Sequence, residues 1–205
     1  MIMQERGSTT RAAMAPLCVA VVFLLATAAP PCSAAQMQMQ MQMQQQQVMG
    51  IEEACRKASM AHAGVRYDHC VSSLSSDGRI RRDAGADMLS LAVAAARMAA
   101  EHASATEARM EALGEVEESP HARARLHHCL ELYNAAADVL RDALDNLRAR
   151  VYGKASQQLA AALGAAESCE DVWKGEERVP VATHDREYGR MVILALGLTT
   201  GAVAN

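Results

Sequence analysis

Four cysteines set among alanine-rich, helix-periodic segments constrain the fold of this sequence more than any other feature. They are Cys55, Cys70, Cys129 and Cys169. An even set of cysteines in an exported chain is typical of disulfide bonds, whereas cytosolic thiols stay reduced. If the chain is exported, the sequence therefore predicts two disulfides that join helices.

The first 35 residues have the pattern of a secretory signal. Arg6 and Arg11 precede a 13-residue apolar run from Leu17 to Ala29, and small residues follow as far as Ala35. A membrane-spanning helix needs about 20 apolar residues, so the run fits a cleaved signal peptide better than an anchor. We expect residues 1–35 to be a signal peptide and the mature protein to be secreted, extracellular and free of the membrane.

The mature chain is expected to begin with a tail and to continue as one domain over residues 50–205. Residues 36–49 are rich in methionine and glutamine and lack an apolar pattern, which predicts a disordered tail. Methionine sulfur can bind copper. Repeat slippage in a dispensable tail also produces such runs without selection for metal binding, so we predict no metal and no cofactor. Removing the signal peptide shifts the net charge from −4 to −5, which argues against a nucleic-acid partner.

Periodicity in the remaining chain predicts an all-α fold. Two short segments, 51–62 and 66–75, form a hairpin around Gly64, which we expect in the left-handed conformation. Four longer apolar stripes follow at spacings of three and four: Leu89–Leu113, Leu126–Leu147, Ala155–Trp173 and Tyr188–Ala202. The last stripe explains the apolar C-terminal segment as a packed helix, which we prefer to a lipid-anchor signal. Short connections predict an up-down-up-down four-helix bundle with an N-terminal helical hairpin.

The ends of the long helices also carry signals. We expect Gly114 to end the first, Ser119 and Pro120 to begin the second, Gly175 to end the third and Thr183 to cap the last.

The same topology selects one disulfide pairing of the three that four cysteines allow. Cys55 and Cys70 flank the Gly64 turn almost symmetrically, so an antiparallel hairpin brings them side by side. Cys129 and Cys169 are roughly equidistant from the turn near Tyr152. We therefore pair Cys55 with Cys70 and Cys129 with Cys169.

The segment that starts at Cys129 carries a family pattern, Cys-x-Glu-x-Tyr-x-x-Ala-x-x-x-Leu-x-x-Ala-x-x-x-Leu. It is matched by Cys129, Glu131, Tyr133, Ala136, Leu140, Ala143 and Leu147. Over about residues 51–203 the chain resembles the plant invertase and pectin methylesterase inhibitor family. The resemblance implies a four-helix bundle with the same disulfide pairing, located in the apoplast or cell wall, that inhibits an enzyme by blocking its substrate cleft.

The resemblance leaves the target enzyme open. Invertase-directed members share a Pro-Lys-Phe motif ahead of the fourth cysteine, which reaches into the invertase active site. Here that stretch reads Val151-Tyr152-Gly153-Lys154-Ala155. We therefore expect pectin methylesterase as the partner, with acid invertase as the alternative and a non-inhibitory helical binding or structural protein as a second alternative. The sequence assigns no target-binding residues.

An enzymatic role has one local candidate, His127-His128-Cys129, in which a thiol stands beside two bases. A catalytic thiol would leave an odd cysteine among the secreted four, and the sequence has no nucleophile elbow or Gly-rich phosphate loop. We predict no catalytic residues and no enzymatic activity.

Overall fold

A computed structural model describes residues 50–80, 86–177 and 179–204. The predicted signal peptide (1–35) and Met/Gln-rich tail (36–49) lie outside these residues. Six helices and no strand lie within the described ranges. They are α1 (Ile51–Ala61), α2 (Tyr67–Ser76), α3 (Met88–Val116), α4 (Pro120–Arg148), α5 (Tyr152–Val172) and α6 (Ala182–Val203).

The four long helices close into a ring. Helix α3 packs against α4, α4 against α5, α5 against α6, and α6 back against α3. Each helix therefore has its sequence neighbours beside it, as an up-down-up-down bundle requires. The predicted fold class is confirmed. The stripe on α4 is buried as expected, at Leu126, Cys129, Tyr133, Ala136, Leu140, Ala143 and Leu147.

The predicted start of α4 is confirmed, whereas α5 ends at Val172, three residues before Gly175. Ser119 caps α4, because its side-chain oxygen accepts a hydrogen bond from the backbone N–H of Ala122, and Pro120 occupies the first helical position. Beyond α5, Gly175 has a φ of +89°, a conformation that favours glycine.

The expectation for Gly114 was wrong, because α3 continues through it to Val116. The helix ends at Glu117, whose extended backbone leads into the Ser119-Pro120 start of α4. The expected cap at Thr183 was also wrong. Helix α6 already begins at Ala182, after Val181, without a side-chain cap.

Helix α6 is covered on several sides within the described residues, because it contacts α1 as well as α3 and α5. Its buried residues accordingly surround most of the helix instead of forming one stripe: Asp185, Tyr188, Gly189, Met191, Val192, Leu194, Ala195, Leu196, Gly197, Leu198, Thr199 and Gly201. The hairpin of α1 and α2 packs on this helix and completes the core.

Two glycines allow the hairpin to approach α6 closely. A Cβ atom on Gly197 would overlap the Val65 side chain and lie 3.2 Å from the carbonyl oxygen of Ala58. Gly64 does not have the positive φ that we expected. A Cβ atom there would lie 3.0 Å from Ile193 Cγ2, so Gly64 is required by packing and not by a left-handed turn.

This packing gives a first prediction. We expect Gly197→Ala to lower the free energy of unfolding by about 2 kcal/mol, because the added methyl group forces Val65 and the α1 backbone away from α6. Gly164→Ala in α5 is the matched control. No atom lies within 4 Å of the Cβ position at Gly164, so we expect that change to raise stability by about 0.5–1 kcal/mol. Equal shifts of both variants in urea denaturation would contradict the close approach.

Candidate target-binding surface

The structure contains the two disulfides of the predicted pairing. Cys55 and Cys70 join α1 to α2 with their Cα atoms 5.7 Å apart. Cys129 and Cys169 join α4 to α5 with a Cα separation of 4.9 Å. All four cysteines are buried. The hairpin is thus cross-linked within itself, and the bundle is cross-linked between two of its long helices.

The bond at Cys129 decides how the adjacent histidines can act. His127 and His128 are exposed, and each places Nδ1 3.7 Å from a carboxylate oxygen of Glu131. The sulfur of Cys129 is bonded to that of Cys169 inside the bundle. This cluster therefore presents imidazoles on the surface of α4 and offers no thiol nucleophile.

The turn between α4 and α5 leads into Val151–Ala155, the stretch that lacks the Pro-Lys-Phe motif. Arg150 adopts a φ of +59°. The N–H of Arg150 donates to the carbonyl of Leu147, and that of Val151 donates to Asn146. These two bonds form a Schellman motif, whose left-handed position is usually glycine. Arg150, Val151 and, in the first turn of α5, Lys154 are exposed. This region therefore presents one apolar and two cationic side chains to a partner.

The strained arginine gives a second prediction. A residue with a side chain loses about 1–2 kcal/mol of stability in the left-handed conformation, and glycine avoids that cost. Glycine also loses more conformational entropy on folding, which offsets part of the gain. We therefore expect Arg150→Gly to raise the free energy of unfolding by about 0.5 kcal/mol in urea denaturation. Arg150→Ala is the control, because it removes the guanidinium but keeps the Cβ atom. A gain of the same size with alanine would assign the effect to charge instead of backbone strain.

A buried polar pair links α4 to α6. The hydroxyl of Tyr133 donates to Oδ1 of Asp185 at 2.7 Å, while Oδ2 has no hydrogen-bond partner in the described residues. The ring of Tyr133 lies 4.9 Å from that of Tyr188, whose hydroxyl donates to the carbonyl of Ala162 at 2.7 Å. Burial raises the pKa of Asp185 to about 6, against the lowering effect of the Tyr133 hydrogen bond.

Sequence reasoning missed this pair. Tyr133 belongs to the apolar stripe predicted for Leu126–Leu147, and Asp185 lies 52 positions further along the chain. No local pattern connects such positions. A tyrosine within a stripe of small apolar residues was the available signal, because a buried hydroxyl needs a partner.

A groove of about 380 Å³ lies between the C-terminal part of α3 and the N-terminal part of α4. Its apolar lining consists of Met110, Gly114, Leu126 and Leu130, and its polar lining of Glu111, Glu115, Arg123 and His127. Nothing lies within 4 Å of the Cβ position at Gly114. The missing side chain therefore leaves open space in the groove.

Across residues 50–80, 86–177 and 179–204, no group of three or more His, Cys, Asp or Glu side chains is arranged to hold a metal ion. Within the same ranges, no helix has the length and apolar character needed to cross a membrane.

Comparison with known proteins extends the structural evidence. The sequence model of the plant invertase/pectin methylesterase inhibitor family matches residues 50–198. Two proteins named "Putative invertase inhibitor" are similar over 151 residues, which is 73% of this chain. The one from Platanus acerifolia is 26% identical over 83% of its length, and the one from Platanus orientalis is 25% identical over 87%.

Solved structures show the same fold. A mutant form of a pectin methylesterase inhibitor from Arabidopsis has a TM-score of 0.59 at 19% identity, over 71% of this chain and 91% of its own. A pectin methylesterase inhibitor from Arabidopsis thaliana has a TM-score of 0.54 at 17% identity, over 70% and 93%.

The fold and the paired cysteines define the class as a disulfide-linked four-helix bundle with a docked N-terminal hairpin. This chain belongs to the plant invertase/pectin methylesterase inhibitor family. Members of this family act as inhibitors of enzymes.

Proposed function

We propose that this protein is a secreted inhibitor that docks on a plant pectin methylesterase and blocks its substrate cleft without chemistry of its own. The family match over residues 50–198 is the observation that supports a role as an inhibitor. The segment Val151–Ala155 supports the choice of target, because it has neither the proline nor the phenylalanine of the invertase-directed motif. The signal-like pattern of residues 1–35 supports secretion to the apoplast.

An acid invertase of the cell wall or vacuole is the second candidate target. The similarity to the two Platanus proteins named as invertase inhibitors favours it. Identities of 26% and 25% establish common descent but leave the surface residues that select a target free to differ.

An inhibition assay separates the two targets. Oxidised protein secreted from the full-length sequence would be tested against a panel of plant pectin methylesterases and acid invertases, at mildly acidic and at neutral pH. We expect inhibition of pectin methylesterase alone. Inhibition of invertase alone would transfer the function to the second candidate, and inhibition of neither would leave a non-inhibitory helical binding protein.

A further inference from the structure

The groove between α3 and α4 has the form of a docking site for one bulky side chain. Met110 and Leu126 are almost completely buried at its base, with exposed fractions of 1% and 2%. The groove is open because Gly114 lies on its α3 side without a side chain, and no other atom occupies that space. An apolar-lined groove of this size fits an aromatic or large aliphatic side chain.

The α3 side of the groove carries a row of negative charge, which only Arg141, near Glu107, partly offsets. Glu111 and Glu115 are exposed one helical turn apart, and neither has an ion pair or hydrogen bond within the described residues. Glu107, one turn earlier, has a buried carboxylate oxygen without a partner, and burial together with Glu111 raises its pKa. Like charges four residues apart destabilise a helix, so this row does not serve the stability of the free protein.

The polar residues on the α4 side, Arg123 and His127, have partners other than Glu111 and Glu115. Arg123 donates a hydrogen bond to the carbonyl oxygen of Glu117, and His127 lies 3.7 Å from Glu131. Glu111 and Glu115 therefore remain available to pair with positive charge that a partner brings. Val116, which is 74% exposed just beyond Glu115, extends the apolar surface at the same end of the bundle.

From these features we infer that the groove binds an exposed protein segment in which a bulky apolar side chain is flanked by lysine or arginine. The apolar side chain would occupy the space beside Gly114, and the flanking cations would pair with Glu111 and Glu115. Complementary charge fixes the orientation of such a segment and speeds its encounter. Under the proposed function, the segment belongs to the target enzyme, and in that respect the inference rests on the proposed function.

Substitutions at Gly114 test the groove without disturbing the fold. Gly114→Leu fills the space, and Gly114→Ala is the matched control that leaves most of it open. Both replace a helical glycine with a better helix former, so we expect neither melting temperature to fall. Glu111→Lys with Glu115→Lys reverses the charge of the rim while keeping the groove open.

The first experiment uses a defined probe and needs no enzyme. The peptide acetyl-Gly-Lys-Lys-Phe-Lys-Gly-amide would be titrated into the isotope-labelled full chain and followed by backbone amide shifts. We expect shifts at residues 110–115 and 123–130, retained in Gly114→Ala and lost in both Gly114→Leu and the charge-reversed variant. A peptide with glutamate at each lysine should produce none. Absence of shifts at these positions, or equal shifts with both peptides, would overturn the inference.

The second experiment uses an enzyme that the wild type inhibits. We expect Gly114→Leu to raise the inhibition constant about tenfold relative to Gly114→Ala, as loss of a central contact does. Equal inhibition by both variants would show that the groove is not the docking site. If no enzyme is inhibited but the peptide still maps to the groove, the proposed function fails and the inferred class of partner stands. A dimer that Gly114→Leu abolishes, with no peptide binding, would assign the groove to self-association and overturn the inference.

Discussion

Removal of the disulfide between α4 and α5 is expected to lower the free energy of unfolding by about 4 kcal/mol. The bond closes a loop of 40 residues, and in the chain-entropy model a cross-link of this span stabilises a protein by about that amount. The variant is Cys129→Ala with Cys169→Ala. Alanine avoids the cost of burying two serine hydroxyls at positions that are fully buried. Urea denaturation of the oxidised wild type and the variant gives the difference.

The hairpin disulfide provides the control. Cys55→Ala with Cys70→Ala opens a loop of only 15 residues, for which the same model gives about 3 kcal/mol. The bond also lies within the hairpin, so its loss leaves the cross-link between α4 and α5 in place. We therefore expect the smaller loss in this variant. Equal losses would mean that strain or denatured-state structure, and not loop length, determines the contribution of each bond.

The size of these losses matters because the core is rich in alanine. Helix α3 buries Ala92, Ala94, Ala95, Ala96, Ala99 and Ala103. Each alanine removes little apolar surface from water, at about 25 cal/mol per Å². A bundle of this composition has little stability in reserve, so cross-links account for a larger part of it than they would in a leucine-rich core.

The fold could be predicted from the sequence because the features that determine it either lie within one helix or join two helices across one short turn. The stripe on α4 and the Ser119 cap depend on spacing within one helix, and the disulfide pairing follows from two short turns. The errors at Gly64 and Gly114 have one cause. Both predictions considered only the backbone freedom of glycine. In the structure, a Cβ atom on Gly64 would lie 3.0 Å from Ile193 Cγ2, whereas Gly114 lies beside an open groove.

The candidate site could not be predicted in the same way. The groove depends on which faces of α3 and α4 diverge at the end of the bundle, and the Tyr133–Asp185 bond joins residues that are far apart in sequence. Both require three-dimensional packing that periodicity does not encode. The wide burial of α6 is a similar case, because a single-stripe pattern assumes one neighbouring surface, whereas this helix has three packed neighbours.

The buried carboxyl of Asp185 is expected to make the protein more stable at acidic than at neutral pH. Burial raises its pKa from 3.8 in the unfolded chain to about 6 in the folded protein. The folded state therefore favours the neutral acid. The stabilising contribution of Asp185 is fully present below pH 3.8 and is lost as the pH rises from there through 6. Above that range it no longer changes, and the total loss is about 3 kcal/mol. Between pH 5 and pH 7.5 the expected loss is about 1 kcal/mol.

Other groups titrate in the same range, so the measurement is a difference between variants. Burial lowers the pKa of His69, which removes stability as the pH falls and opposes the effect of Asp185. Asp185→Asn removes only the carboxyl titration and retains an acceptor for the Tyr133 hydroxyl. We expect the stability of wild type relative to Asp185→Asn to decrease by about 1 kcal/mol from pH 5 to pH 7.5.

Tyr133→Phe separates burial from hydrogen bonding as the cause. The hydroxyl of Tyr133 donates to the carboxylate and so holds the pKa of Asp185 down. Without that bond the folded pKa should rise further, and stability should fall more steeply with increasing pH than in the wild type. A pH-independent difference between wild type and Asp185→Asn would contradict the prediction, because it would mean that the carboxyl reaches water in the folded protein and is not held neutral by burial between α4 and α6.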